Sequence, residues 1–94
     1  MKITTLIWKA RFVEKIWQKH KVSMTEVEQV FAGRPRIQFA QRGDVAGEHL
    51  YRALGKTDAG RYLVIFFIYK GKGRALPISA RDMTPKEKRG YGKK

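Results

Sequence analysis

Residues 75–91, ALPISARDMTPKEKRGY, bring together side-chain types that handle phosphate. Arg81 ends a short strand-like run in which Leu76, Ile78 and Ala80 share one face, so Arg81 is expected on the other. Three residues further on, Thr84-Pro85-Lys86-Glu87 has the spacing of a helix start. Thr84 is placed to cap, Pro85 suits the first helical position, and Glu87 can reach back to complete a capping box. A guanidinium beside a helix N-terminus attracts phosphate. The competing use of Arg81 is an ion pair with Asp82 or Glu87. Tyr91 either stacks on a base or packs the last helix down, and Lys86, Lys88 and Arg89 are exposed helical charges suited to a polyanion backbone.

Other chemistries find little support. The chain has two histidines, His20 and His49, and no cysteine. With no carboxylate cluster either, a metal site is not expected. Ser23 reads as a helix cap and Ser79 lies in a strand without a glycine elbow, so a serine triad is not expected. Gly71-Lys72-Gly73 joins two strands with no helix behind it, which is a hairpin turn rather than a nucleotide loop. What remains is metal-free chemistry on phosphodiesters. RNA carries its own nucleophile, the 2′-hydroxyl; a protein need only orient the backbone, move protons and stabilise charge on the phosphate.

The residues that do this must be positioned by a small scaffold. Residues 3–8 are β-prone. In residues 9–20 the apolar positions Phe12, Val13, Ile16 and Trp17 follow the steps of an amphipathic helix. Ser23 with Glu26 has the spacing of a second capping box, Val27, Val30 and Phe31 form that helix's buried face, and Gly33 and Pro35 end it. The period then changes to two. Residues 36–41 form a strand, Arg42-Gly43-Asp44 and Ala46-Gly47 a loop, and residues 48–56 a strand with Leu50, Arg52 and Leu54 on one face. After a turn at Asp58-Ala59-Gly60, residues 61–69 read as a central strand covered on both faces. A four-residue hairpin loop, the last strand (74–81) and the last helix (84–91) follow, with Lys93 and Lys94 a frayed end. This is an α+β domain: two N-terminal helices and a C-terminal helix packed on an antiparallel β-sheet, the helices covering one side and the other side or the edge left for basic groups.

Ninety-four residues make one domain, 1–94. Lys and Arg number 21 against 8 acids, a formal charge of +13, and the excess is present in both halves: 9 against 4 in residues 1–47 and 12 against 4 in 48–94. The charge therefore belongs to the folded body, and such a field favours polyanions. It does not separate RNA from DNA, a membrane surface or an acidic protein. The longest apolar run, residues 62–69, is far too short to span a bilayer. No N-terminal signal is visible, so the cytoplasm is the expected compartment.

The order Trp8, Lys19-His20, Val22-Ser23, Glu26, Val30-Phe31, Glu48, Arg52, Gly55, Arg61, Leu63, Ile78-Ser79-Ala80-Arg81, Glu87 and Tyr91 resembles the BrnT family, toxins of type II toxin–antitoxin modules with a RelE-like fold. The chain departs from the family pattern at Lys9, at Ile16-Trp17 and at Lys21, all in the first helix and its turn. The resemblance implies a ribonuclease, a cognate BrnA-like antitoxin, and operator DNA bound only through the antitoxin complex; on the residue inventory above, no cofactor is expected. It also sorts the residues. Arg61 and Arg81, supported by Arg52, would stabilise the scissile phosphate; His20 or Glu48 would move the proton; Lys72, Arg74, Lys86, Arg89 and Tyr91 would bind RNA. Three other uses stay open: a Glu48–Arg52 structural pair, His20 as a helix-end charge, and Arg61 as a solvated strand start. So does a non-catalytic nucleic-acid-binding or antitoxin-binding module.

Overall fold

The structure, a computed structural model, describes residues 1–43 and 48–92. The loop expected at Asp44, Ala46 and Gly47 lies partly outside the described residues, and so does the expected frayed end at Lys93 and Lys94. The elements run β1 (Thr5–Leu6), α1 (Ala10–His20), α2 (Met24–Ala32), β2 (Arg36–Gln41), β3 (Leu50–Lys56), β4 (Tyr62–Tyr69), β5 (Arg74–Asp82) and α3 (Pro85–Gly92).

Local chemistry sets the helix boundaries. Helix α1 closes on Lys21, whose φ of 53° and ψ of 41° are left-handed and whose N–H donates to the Trp17 carbonyl at 2.8 Å, a glycine-type ending made here by lysine. Helix α2 starts on the expected capping box: the Glu26 N–H donates to Ser23 Oγ at 3.1 Å and the Ser23 N–H donates to Glu26 Oε1 at 2.9 Å.

The five strands lie in the order β1-β5-β4-β3-β2. Strands β2 to β5 form the antiparallel meander. The wholly antiparallel sheet is corrected at one edge, because β1 runs parallel to β5. The chain docks there through the Thr4 and Thr5 N–H groups, which donate to the Gly73 carbonyl, and Ile7 N–H, which donates to Ala75. At the other edge, β2 leaves Phe39 57% exposed.

Helices cover both faces of the sheet, which corrects the expectation of one covered side. Ile16 of α1 and Val27 and Val30 of α2 pack with Ala53, Leu63, Ile65, Phe67, Ala75 and Ala80. On the opposite face Leu54 and Val64 pack with Met83, Tyr62, Phe66 and Tyr91 of α3. Helix α2 approaches β3 closely at Gly55, where a Cβ would stand 2.8 Å from Val30 Cγ1.

One irregularity changes which residues share a face. Along β4 and β5, Phe66 pairs with Ser79 but Phe67 pairs with Pro77, so Ile78 is an extra residue. This bulge lets Ala75 and Ala80, an odd number apart, both face α1 and α2. The expected common face of Leu76, Ile78 and Ala80 is therefore split. Arg81 still falls opposite Ala80, beside Val64 on the α3 face.

Candidate active site

Strand register assembles the basic residues into rows on the α3 face. Gln38 pairs with Arg52, Arg52 with Phe66 and Phe66 with Ser79; one step along, Arg36 pairs with Leu54, Leu54 with Val64 and Val64 with Arg81. Side chains at these positions project to one side of the sheet. A cleft of about 400 Å³ opens there, lined by Arg36, Gln38, Arg52, Lys86, Glu87 and Tyr91 among others.

Helix α3 sets one carboxylate into this basic face. Thr84 caps as expected: the Glu87 N–H donates to Thr84 Oγ1 at 3.1 Å and the Thr84 N–H donates to Glu87 Oε1 at 2.9 Å. The same Glu87 carboxylate accepts both Arg81 Nη1 at 2.7 Å and Nη2 at 3.1 Å, and Arg52 Nη1 stands 3.7 Å from it. Two guanidinium groups thus converge on one anion. Arg52 Nε is fixed by Gln38 Oε1 at 2.9 Å, and the Arg81 guanidinium lies 5.5 Å from the centre of the Phe66 ring. The Arg36 side chain donates to the Gly90 carbonyl at 3.0 Å, fastening the far end of α3.

The Arg81 hydrogen bonds hold the Glu87 carboxyl down to about 2, helped by the Thr84 N–H and opposed by burial. Such a weak base is not a proton acceptor for a hydroxyl; it orients arginines. A carboxyl depressed from 4.5 to about 2 stabilises the fold fully above its unfolded value and loses that contribution as pH falls through its folded one. Glu87→Gln, which keeps the cap, is therefore expected to lose less stability than the native chain between about pH 4.5 and pH 2. Urea midpoints measured across that window check it.

Arg61 is placed on the other side of the sheet end. Its Nε donates to Asp82 Oδ1 at 2.8 Å and its Nη2 to Asp82 Oδ2 at 3.1 Å and the His20 carbonyl at 2.8 Å. Its Nη1 donates to the Lys21 carbonyl at 2.8 Å and to Glu26 Oε2 at 3.2 Å. All five guanidinium N–H groups have acceptors, which tie the α1–α2 turn to β5. Hydrogen bonding to Asp82 holds Arg61 above its ordinary pKa, and Arg61 holds Asp82 below its own.

The other expected residues are spread out. Arg52, Lys86 and Tyr91 line the cleft, Arg81 meets it through Glu87, and Tyr91 also packs edge-on against Tyr62 at 6.1 Å. Arg89 is exposed on α3. Glu48 forms no pair with Arg52; its carboxylate accepts Lys70 Nζ at 2.7 Å. Lys72 and Arg74 sit on the β4–β5 hairpin. Arg74 folds back onto the Gly71 and Lys70 carbonyls; seven strand residues, roughly 23 Å, separate it from Arg81. His20 is exposed at the end of α1. Sequence reasoning left Arg36 and Gln38 out of the site. Their signal was the strand period, which needs the β2–β3 register before it points to Arg52.

The site is thus a small α+β domain in which two arginines converge on one carboxylate beside an open cleft, an arrangement whose charge suits an anion. A sequence profile described as "Ribonuclease toxin, BrnT, of type II toxin-antitoxin system" matches residues 8–87, and the chain belongs to this family. RNA as substrate class and an antitoxin as partner come with that membership. Among solved structures, the ribonuclease toxin BrnT of Brucella abortus shares the fold with a TM-score of 0.61 at 17% identity, over 86% of this chain and 99% of that one. A search of curated proteins finds no match. Among the described residues no helix is long and apolar enough to cross a membrane.

Proposed function

We propose that this chain is a metal-independent endoribonuclease acting in the cytoplasm on a RelE-like scaffold, with Arg81 and Arg52 binding the scissile phosphate. The observation that carries the reading is the convergence of both guanidinium groups on the Glu87 carboxylate, an anion standing where a phosphate oxygen would bind. RNA displaces Glu87 from Arg81 on entering the cleft. The 2′-oxygen then attacks phosphorus, the bond to the 5′-oxygen breaks, and the developing charge falls on the two arginines. The 2′-proton goes to a base and a proton returns to the leaving 5′-oxygen, leaving a cyclic phosphate end, which addition of water opens to a 3′-phosphate. His20 is the base in this reading: its side chain acts on Asp82, the neighbour of Arg81, helping to lower that carboxyl's pKa. Glu48, neutralised by Lys70, is less suited.

Lys86, Arg89 and Tyr91 carry the RNA across α3, and Lys72 and Arg74 meet it at the hairpin. Among the described residues no three His, Cys, Asp or Glu groups gather in a way that could hold an ion. The partner is a BrnA-like antitoxin, and operator DNA is bound through the complex. Purified protein incubated with RNA and EDTA is expected to yield new cyclic-phosphate ends. Intact RNA, both free and in a translating extract, overturns the enzymatic reading.

One observation favours a second reading. Glu87 neutralises the very arginines that would bind phosphate. A non-catalytic nucleic-acid-binding module predicts steeply salt-dependent RNA binding with no new ends.

A further inference from the structure

The face opposite the arginine cleft carries an apolar groove that the fold does not use. Helix α1 spends only part of its apolar stripe on the core. Ile16 is 3% exposed, while Trp17, one residue on, is 50% exposed. Trp17 lines a groove of about 690 Å³ with Trp8, Ala10, Val13, Glu14 and Met24. Met24, at the start of α2, is 39% exposed. Glu14 is the single charged residue in that lining; Trp17 and Met24 stand exposed in it beside Trp8, which is half-buried against the core. Such a cluster is the composition of a binding hot spot.

Shape and charge select the occupant. Helix α1 has 11 residues, about 16 Å of length, which matches a partner helix of about three turns lying alongside it. The exposed lysines Lys9 and Lys21 flank α1, and Lys21 Nζ stands 5.3 Å from the centre of the Trp17 ring. Around them lies a chain of formal charge +13. An incoming helix must therefore be apolar on one face and acidic at its flanks.

We infer that this α1–α2 groove anchors an acidic, amphipathic helix of the antitoxin, on the face of the sheet turned away from the arginine cleft. The inference rests on the reading of the chain as a toxin. It separates holding the partner from the chemistry: the anchor residues touch none of Arg52, Arg81 or Glu87. Loss of the anchor weakens the complex and leaves cleavage by the free chain unchanged.

The test uses the full chain, the Trp17→Ala and Met24→Glu variants, and the protein encoded by the reading frame adjoining this gene. Both positions are partly exposed, so the variants are expected to fold, which circular dichroism verifies. Each is expected to bind the adjoining protein about tenfold or more weakly, to cut RNA at the unmutated rate, and to escape neutralisation. Undiminished binding by both variants overturns the inference, whatever the cleavage result. Reduced RNA cleavage with undiminished binding also overturns it and makes Trp17 an RNA contact. A dimer that the variants convert to monomers, again with undiminished binding, overturns it in favour of a second copy of this chain. If the unmutated chain neither cuts RNA nor binds the adjoining protein, the toxin reading itself falls, and the inference falls with it.

Discussion

Arg81→Ala is expected to lower RNA cleavage by about a hundredfold or more, the loss typical of removing one preorganised donor to a developing oxyanion. The guanidinium is held ready for that task by two hydrogen bonds it donates to Glu87 and by the Phe66 ring beneath it. A phosphate inherits the fork geometry without reorganising it. The same contacts raise a structural alternative, in which the variant fails because α3 loosens. Glu87→Gln separates the two: it weakens the ion pair to Arg81 while keeping the guanidinium. If α3 attachment were the cause, both variants would lose activity alike. A transition-state donor predicts that Arg81→Ala loses far more, in kcat at saturating RNA rather than in KM alone. Equal activity of Arg81→Ala and the native chain removes Arg81 from the site.

The second large effect falls on stability. Arg61→Ala is expected to cost about 2 kcal/mol, the range for charged hydrogen bonds lost together at a partly covered site. The side chain is 27% exposed, so water compensates some of what is lost. The melting temperature falls on the order of 10 °C for a domain of this size. The cause is shared. Glu26 and Asp82 lose their cation and the His20 and Lys21 carbonyls lose a donor at one stroke. Cleavage by the folded fraction, measured well below the melting point, is expected to stay within about threefold of the native rate, since the engaged donors have no N–H left for a phosphate. A hundredfold loss in a variant that melts normally would restore Arg61 as a transition-state donor.

Much of this molecule was legible where the signal is local. Both capping boxes, Ser23 with Glu26 and Thr84 with Glu87, were given by residue type and spacing alone, because each is closed within four residues. The strand runs and the Lys70–Gly73 hairpin loop followed from period and glycine content. What stayed hidden depends on pairing between distant segments. The bulge at Ile78 exists only relative to β4, so period-two counting on β5 alone assigned faces wrongly. The parallel docking of β1 rests on two residues and on the Gly73 carbonyl, too little pattern to read. A Glu48–Arg52 pair was left open by strand neighbourhood, but Lys70, just past the end of β4, reaches Glu48 instead. The second covered face hid because α3 buries no residue fully; its short sequence lacks an apolar stripe that would announce a sheet beneath it.

The outer strand β2 has a wider consequence. It ends the sheet with an open backbone edge and presents Phe39 to solvent, the template on which copies of a protein stack. Mutual repulsion at +13 keeps those edges apart. Colloidal behaviour is then governed by whatever cancels the charge. A polyanion that neutralises the surface without shielding this border drives the molecules toward condensation, whereas one that drapes over it keeps them dispersed.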